Sequence, residues 1–124
     1  MNLVQEYYRL ANEVISYRET VYDRNSAENH NRKVNRMNTI AVEIQQDHPE
    51  LKADFYALLS DENPEIRLWT AHHVLEHIKC ERVFRKKALH EIRRRARTEK
   101  TANGFGERVW LKAWYKNHPM DRWL

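Results

Sequence analysis

Glycine and proline are scarce in this chain, whose 124 residues include only two glycines and three prolines. Both residues interrupt helices and are frequent in turns, so their scarcity leaves room for few turns. Charged residues make up 32% of the chain, and strong helix formers are abundant. This balance predicts a nearly all-helical fold.

Cysteine and long apolar runs are also scarce. The lone Cys80 cannot form an internal disulfide and has no companion cysteine for a zinc site, so we expect it to pack against the core. No apolar run approaches the length that crosses a bilayer, and the first ten residues lack the basic and apolar regions of a secretory leader. With a mean hydropathy of −0.93, the chain is expected to be cytoplasmic and to make no membrane contact.

Motifs for catalysis are missing as well. The sequence contains no glycine-rich phosphate loop, no nucleophile elbow and no zinc-protease motif. We therefore expect no enzymatic activity, no catalytic residues and no cofactor. The length supports one hydrophobic core but not two, which predicts a single domain over residues 1–124.

Apolar residues near the N-terminus recur at alternating four- and three-residue steps, which predicts one long amphipathic helix. Its apolar stripe is expected to face the core, and a coiled-coil dimer is the alternative. The stripe consists of Leu3, Tyr7, Leu10, Val14, Tyr17 and Val21, with Tyr8, Ile15 and Tyr22 on an adjoining line.

Two further helices are predicted before residue 60. Polar residues 23–26 break the first pattern, and Ser26 is the expected cap of the second helix, which ends before Asp47. Pro49 begins a third, shorter helix. The predicted core positions are Val34, Met37, Ile40, Ala41 and Ile44 in the second helix, and Leu51, Phe55, Leu58 and Leu59 in the third.

The stretch from Leu58 to Ile78 has the pattern of two antiparallel helices joined by a turn. Asn63 is the expected side-chain cap, and Pro64 occupies the first helical position, where its missing N–H costs nothing. We expect the guanidinium of Arg67 to bind back to the acidic turn at Asp61. The buried stripe of this fourth helix is predicted to be Ile66, Thr70, Ala71, Val74, Leu75 and Ile78.

The C-terminal third predicts a fifth and a sixth helix separated by a loop from Thr101 to Gly106, which holds both glycines. The fifth helix has an apolar side and a basic side; the sixth has a basic stripe opposite its apolar side. The apolar positions are Phe84, Ala88, Ile92 and Ala96, then Phe105, Val109, Trp110, Ala113 and Trp114. The basic positions are Arg82, Lys86, His90, Arg93 and Arg97, then Arg108, Lys112 and Lys116.

Three histidines of the fourth helix are candidate functional residues. His73 and His77 are four residues apart and could bind one metal ion with Glu76 nearby, but no third ligand is evident, so we expect no metal site. Instead, His72, His73 and His77 are expected to lie beside Trp69 on the side away from the core. An exposed face rich in Trp, Arg and His suits a protein interface.

Charge is unevenly divided along the chain. Residues 1–62 hold seven Lys and Arg against eleven Asp and Glu, whereas residues 63–124 hold fifteen against seven. Such a division can orient the encounter with a charged partner. It also leaves open a nucleic-acid-binding module that uses the basic faces of the fifth and sixth helices, although no known nucleic-acid-binding motif is present.

Three segments resemble a family of small bacterial proteins of unknown function with an armadillo/HEAT-like array of antiparallel helical hairpins. They are HNRKVNRMNTI (residues 30–40), DENPEIRLWTAHHVL (residues 61–75) and GFGERVWLKAW (residues 104–114). A faint internal repeat agrees with this array, because Arg67, Leu68 and Trp69 recur 41 residues later as Arg108, Val109 and Trp110. The resemblance covers roughly residues 28–116.

Members of such families are similar to immunity proteins of bacterial toxin systems, including contact-dependent growth inhibition. The resemblance implies a monomer that binds a cognate toxin domain one-to-one and occludes it, without catalysis. A cognate toxin is thus the expected partner, a nucleic acid the less favoured one. The residues predicted to contact the partner are Trp69, His72, His73, His77, Arg93, Arg97, Arg108 and Lys112.

Overall fold

The computed structural model describes residues 1–17 and 24–124. Within these ranges every regular element is helical and no strand occurs, so the all-α prediction of about six helices is confirmed. The 3-10 turn at the end of the chain is called the C-terminal turn below. The elements are α1 (Leu3–Ile15), α2 (Arg24–Gln46), α3 (Lys52–Ala57), α4 (Pro64–His77), α5 (Arg82–Thr98) and α6 (Ala102–Asn117), with 3-10 turns at Pro49–Leu51, Leu58–Ser60 and Pro119–Trp123.

Side-chain contacts show that three pairs of consecutive helices are antiparallel: α1 and α2, α4 and α5, and α5 and α6. Glu65 near the start of α4 pairs with Arg95 near the end of α5, whereas Arg67, further along α4, pairs with Glu91, earlier in α5. Helices α4 and α6 therefore run parallel to each other, both antiparallel to α5. The other contacts that follow this order are Glu6–Arg36 and Glu13–Lys33 between α1 and α2, and Ala96–Arg108 and Arg93–Tyr115 between α5 and α6.

The core lies where α1, α2 and α4 meet and continues between α4 and α5. The apolar stripe of α1 faces this core, as the sequence predicted, and so it is not left free for a coiled coil. Cys80 is half-buried against the same cluster, in agreement with its predicted packing role. The completely buried side chains include Tyr7, Met37, Ile40, Ile44, Phe55, Ile66, Val74, Leu89 and Ile92.

Helix α1 is shorter than the sequence predicted. It ends at Ile15, and the N–H of the cap residue Ser16 binds the carbonyls of Asn12 and Val14. Tyr17 is not helical; its ring stacks on His30 of α2 at a centroid distance of 4.1 Å. The predicted positions Val21 and Tyr22 lie outside the described residues. The apolar periodicity of the sequence extends past the end of the helix, because Tyr17 is half-buried against α2 although it is not helical.

The start of α2 is wrongly predicted, whereas that of α4 is confirmed. Ser26 is not a cap, since α2 already includes Arg24. At α4, by contrast, the side chain of Asn63 accepts a hydrogen bond from the Glu65 N–H, and Pro64 is the first helical residue. Arg67 binds the turn as predicted, although through the Asp61 carbonyl, at 2.8 Å, instead of the carboxylate.

Two predictions for α6 are wrong. The segment from Thr101 to Gly106 is not a loop, because α6 begins at Ala102 and both glycines are helical. Gly104 is buried where α6 approaches the end of α5, and a Cβ at this position would overlap the carbonyl of Glu99. The glycine thus marks a close helix contact, and the register of α6 follows from it. The core side includes Gly104 and Leu111, whereas Phe105, Val109 and Ala113 are exposed.

Candidate functional site

Helix α6 is flanked by two grooves. The first, here called the aromatic groove, lies between α4 and α6 and has a volume of about 340 Å³. Trp69 and Leu68 form its apolar wall, and Arg95 of α5 also lines it. Its lining residues are Glu65, Leu68, Trp69, His72, Arg95, Ala102, Asn103, Gly106 and Glu107.

His72 connects the two walls of the aromatic groove. Its Nε2 lies 2.8 Å from a carboxylate oxygen of Glu107 on α6, and its Nδ1 lies 3.7 Å from Glu76 on α4. The ring also meets the edge of Trp110 at a centroid distance of 4.5 Å. Burial disfavours the imidazolium, but the hydrogen bonds to Glu107 and Glu76 outweigh it and raise the pKa of His72 to about 9. A charged His72 therefore stands in the groove at neutral pH.

A row of stacked rings continues from His72 along α6. Trp110 stacks on Trp114 at 4.9 Å, and Trp114 stacks on His118 at 3.8 Å. The Nε1–H of Trp110 donates to Glu76, which also faces His72. These rings lie at four-residue steps on one side of α6, where Trp110 contacts α4 and Trp114 contacts Arg85 of α5 and Asp121.

The structure separates the three histidines that the sequence grouped on one surface. His73 is not on the surface; it is 4% exposed and lies in the core, with its Nδ1 2.5 Å from the hydroxyl of Tyr7. Burial lowers the pKa of His73 to about 4, so the ring is neutral. His77 is half-buried and binds Asn38 of α2. Of the predicted contact residues on α4, only Trp69 and His72 line the aromatic groove.

The second groove, here called the basic groove, lies between α5, α6 and the C-terminal turn. It consists of two adjoining cavities of about 570 and 610 Å³ that share Arg108, Leu111 and Tyr115. Among the described residues, no carboxylate lines either cavity. The lining residues are Arg93, Ala96, Arg97, Arg108, Leu111, Lys112, Tyr115, Arg122 and Trp123, so the four predicted basic contact residues are brought together here.

The sequence predicted that Arg93 is exposed, but its side chain is half-buried. Its guanidinium donates to the Tyr115 hydroxyl at 2.7 Å and to the carbonyls of Asp121 and Leu124 at 2.7 and 2.6 Å. Arg93 thus holds the C-terminal turn against α5, with one hydrogen bond from each of its three nitrogens. Its place in the helical basic stripe could not show this, because its partners are 22, 28 and 31 residues later in the chain.

An ion pair also holds the C-terminal turn. Asp121 is 6% exposed and accepts two hydrogen bonds from Arg85, at 2.9 and 2.6 Å, and one from Nε1–H of Trp114, at 2.8 Å. Burial opposes the charge of this carboxylate, but Arg85 and Trp114 keep its pKa below the ordinary value. The turn that carries Arg122 and Trp123 is therefore fixed in place.

Arg108 has two roles at the basic groove. It donates to the carbonyls of Ala96 and Glu99, just as Arg67 donates to those of Asp61 and Glu62. Both arginines of the internal repeat therefore bind backbone carbonyls that precede their own helix, Arg67 in the turn before α4 and Arg108 at the end of α5 and just after it. Arg108 still lines the groove, because only its Nη1 is used in these bonds.

Sequence reasoning missed Glu107 and Arg95 in the aromatic groove, and Tyr115, Arg122 and Trp123 in the basic groove. The basic-groove residues belong to the last ten positions and carried no periodic signal of their own. Glu107 fell inside a segment taken for the start of an apolar helix face. Only Trp123 had a recognisable sequence signal. A tryptophan in a polar segment, here near Pro119 and two charged residues, usually packs in the fold or binds a partner.

Within the described ranges, no group of three or more His, Cys, Asp or Glu side chains is placed to hold a metal ion. No described helix has the length and apolar character needed to cross a membrane. Comparison of the chain with protein-family models, with curated proteins and with solved structures gave no match in any of the three.

Proposed function

We propose that this chain is an immunity-type binding protein that neutralises a cognate bacterial toxin domain by covering it. One observation carries the binding role: the aromatic groove is a preformed concave site built from Trp69, His72, Arg95 and Glu107. The toxin as the partner is inferred from the resemblance of the three segments within residues 28–116, including the one that provides α4.

The composition of the aromatic groove fits a protein partner. Trp and Arg dominate the energetics of protein interfaces, particularly where they lie in a pocket that excludes water. Charges of both signs face the groove, since Arg95 pairs with Glu65, and His72 with Glu107. A partner of one charge sign would gain little here. An apolar or aromatic side chain that carries polar atoms would pack on Trp69 and reach the charged rim.

The groove is also held rigidly, which favours tight binding. His72 is fixed by two carboxylates and by the edge of Trp110, so few rotamers are lost when a partner binds. Both walls belong to long helices, which predicts little backbone movement between the free and bound states. We infer a one-to-one complex in which the helical array covers the active cleft or substrate path of the toxin.

The test uses Gly106, whose position allows the groove to be filled without disturbing the fold. A Cβ at Gly106 would meet no other atom within 4 Å, so Gly106→Gln should place its side chain in the groove. The test first asks whether the gene immediately upstream encodes a large secreted protein with a C-terminal toxin domain, and that domain is then the partner. Co-expression of the wild-type chain should rescue growth, and Gly106→Gln should weaken binding in calorimetry by about 30-fold or more.

Gly106→Ala is the matched control, because it changes the same helical position but leaves the groove open. It should bind and rescue like the wild type. If the wild-type chain neither binds nor neutralises the toxin domain, the immunity function is wrong. If it neutralises the toxin but Gly106→Gln does so equally well, the function stands and the aromatic groove is not the contact.

A further inference from the structure

The basic groove holds the four basic residues that the sequence predicted as partner contacts, but it lies on the opposite flank of α6 from the aromatic groove, to which the proposed toxin contact is assigned. We propose that it binds single-stranded nucleic acid, with its cations on the phosphates and Trp123 stacked on an unpaired base. This inference is independent of the proposed immunity function. It depends on three features of the groove: unpaired cations, uniform charge and an exposed ring.

The cations of the basic groove are available to a ligand. Arg97 and Lys112 are exposed, and no carboxylate among the described residues forms an ion pair with either. Arg122 is exposed as well and lies over the Tyr115 ring at 5.5 Å. By contrast, Arg67, Arg85 and Arg95 are all paired with carboxylates. Among the described residues, exposed cations without an ion pair also occur elsewhere in the C-terminal half, for example Lys79 and Lys86. At the basic groove, however, several of them line one site: Arg97, Arg108, Lys112 and Arg122.

The uniform charge favours a polyanion. No carboxylate lines the two adjoining cavities among the described residues, in contrast to the aromatic groove, where both signs alternate. Lys116 extends the row of Arg108 and Lys112 by one more helical turn, so the cationic surface is elongated along α6. An elongated track of one sign suits a phosphate backbone, because each phosphate contact releases a condensed counterion.

Trp123 favours a single strand over a duplex. It is 79% exposed, although the C-terminal turn that carries it is fixed by Arg93 and by the Arg85–Asp121 pair. A large ring held at a fixed position in solvent gains little from the fold itself. An unpaired base can stack on this ring, whereas the bases of a duplex are already stacked on each other. Tyr115, between Arg93 and Arg122, supports the cations at the floor of the groove.

The test measures fluorescence anisotropy of a fluorescein-labelled 20-nucleotide poly-uridine with the full-length chain. The wild-type protein should bind it, with an affinity that falls steeply with salt. The double variant Arg97→Glu with Lys112→Glu should bind at least about tenfold more weakly, and its salt slope should be smaller by roughly 0.7 for each lost phosphate contact. Trp123→Ala should weaken binding roughly fivefold or more.

The matched control is Arg32→Glu with Lys79→Glu, which changes net charge equally at two exposed residues outside the groove. It should retain most of the binding, and both double variants should keep the wild-type melting temperature. If the wild-type chain does not bind the oligonucleotide at low salt, the inference is wrong. The inference is also overturned if Trp123→Ala binds the oligonucleotide normally and poly-glutamate of the same total charge displaces the oligonucleotide. The groove would then bind an acidic protein surface.

Discussion

The hydroxyl of Tyr7 lies 2.5 Å from Nδ1 of His73, and this contact joins α1 to α4 inside the core. Tyr7 is completely buried, and its ring meets the edges of Phe55 and His73. Burial raises the pKa of Tyr7 and lowers that of His73, so both groups are neutral over the ordinary pH range. The pair is therefore a neutral hydrogen bond that satisfies two polar groups at once.

Removal of the Tyr7 hydroxyl should destabilise the fold. Tyr7→Phe would leave Nδ1 of His73 buried without its partner, at an expected cost of about 1–3 kcal/mol in the free energy of unfolding. Urea denaturation measures this loss. Tyr56→Phe is the control, because the Tyr56 hydroxyl is buried with no hydrogen-bond partner among the described residues. Its loss should leave stability unchanged or raise it, and equal losses in the two variants would contradict the role of the Tyr7 bond.

Stability should pass through a maximum near pH 6.5, because two adjacent histidines shift in opposite directions. The pKa of His72 is raised from 6.5 to about 9, so its stabilising charge is complete below pH 6.5 and is lost as the pH rises through 9. The pKa of His73 is lowered from 6.5 to about 4, so the unfolded chain takes up this proton before the folded one does. The free energy of unfolding therefore decreases as the pH falls from 6.5 to 4.

The alkaline limb should have a slope of at most about 1.4 kcal/mol per pH unit, the value for one proton. The acidic limb should become steeper toward pH 4, because Glu6, Glu76 and Asp121 also have lowered pKa values. Urea denaturation between pH 4 and pH 9 measures both limbs. His72→Gln should flatten the alkaline limb and keep the part of the acidic limb that comes from His73, whose pKa is lowered chiefly by burial. The contribution of Glu76 at lower pH should decrease, because its hydrogen bond to His72 is the main cause of its lowered pKa. An alkaline limb that persists in this variant would mean that another group titrates there.

The two glycines of α6 should respond oppositely to the same substitution. Gly104→Ala introduces a Cβ that overlaps the Glu99 carbonyl, so α6 must move away from the end of α5 and stability should fall. Gly106→Ala meets no neighbouring atom and should raise the free energy of unfolding by roughly 0.5–1 kcal/mol, the usual gain of alanine over glycine in a helix. Thermal melting of the two variants should show shifts of opposite sign.

Loss of the Asp121 carboxylate should release the C-terminal turn. Asp121→Ala leaves the half-buried Arg85 without its ion-pair partner and Trp114 without its acceptor, and we expect a loss of about 2–4 kcal/mol. Limited proteolysis should then cleave near residue 119 sooner than in the wild type. Asp47→Ala, on an exposed residue after α2, is the control and should have no effect. Equal cleavage rates would show that Arg93 alone holds the turn.

Much of the helix pattern could be predicted because it depends on local rules. Asn63, Pro64 and the three- and four-residue spacing from Ile66 to Ile78 gave the start and the buried stripe of α4 correctly. The end of α1 and the start of α2 were wrong, and for a physical reason. Tyr17 keeps an apolar contact after the helix has ended, so periodicity alone does not reveal where the backbone turns.

The candidate site was less predictable than the helices. The sequence correctly grouped Arg97, Arg108 and Lys112 as basic, but whether they share a groove depends on how α5 and α6 pack. His73 was wrongly predicted to be exposed. Its neighbours on α4 could not show that it is buried with a hydrogen bond to Tyr7, 66 residues earlier. The partners that decide a polar residue's burial are distant in sequence.

The amino-acid sequence by itself determined that the chain is helical, where α4 begins, and that the C-terminal half is basic, because these properties depend on residue type and on neighbours within one or two turns. Only the tertiary structure decided that His73 is buried, that His72 is charged, and that α6 has an aromatic groove on one flank and a basic groove on the other. The close approach at Gly104 sets the rotation of α6, and that rotation decides which of its residues face α4, α5 or solvent.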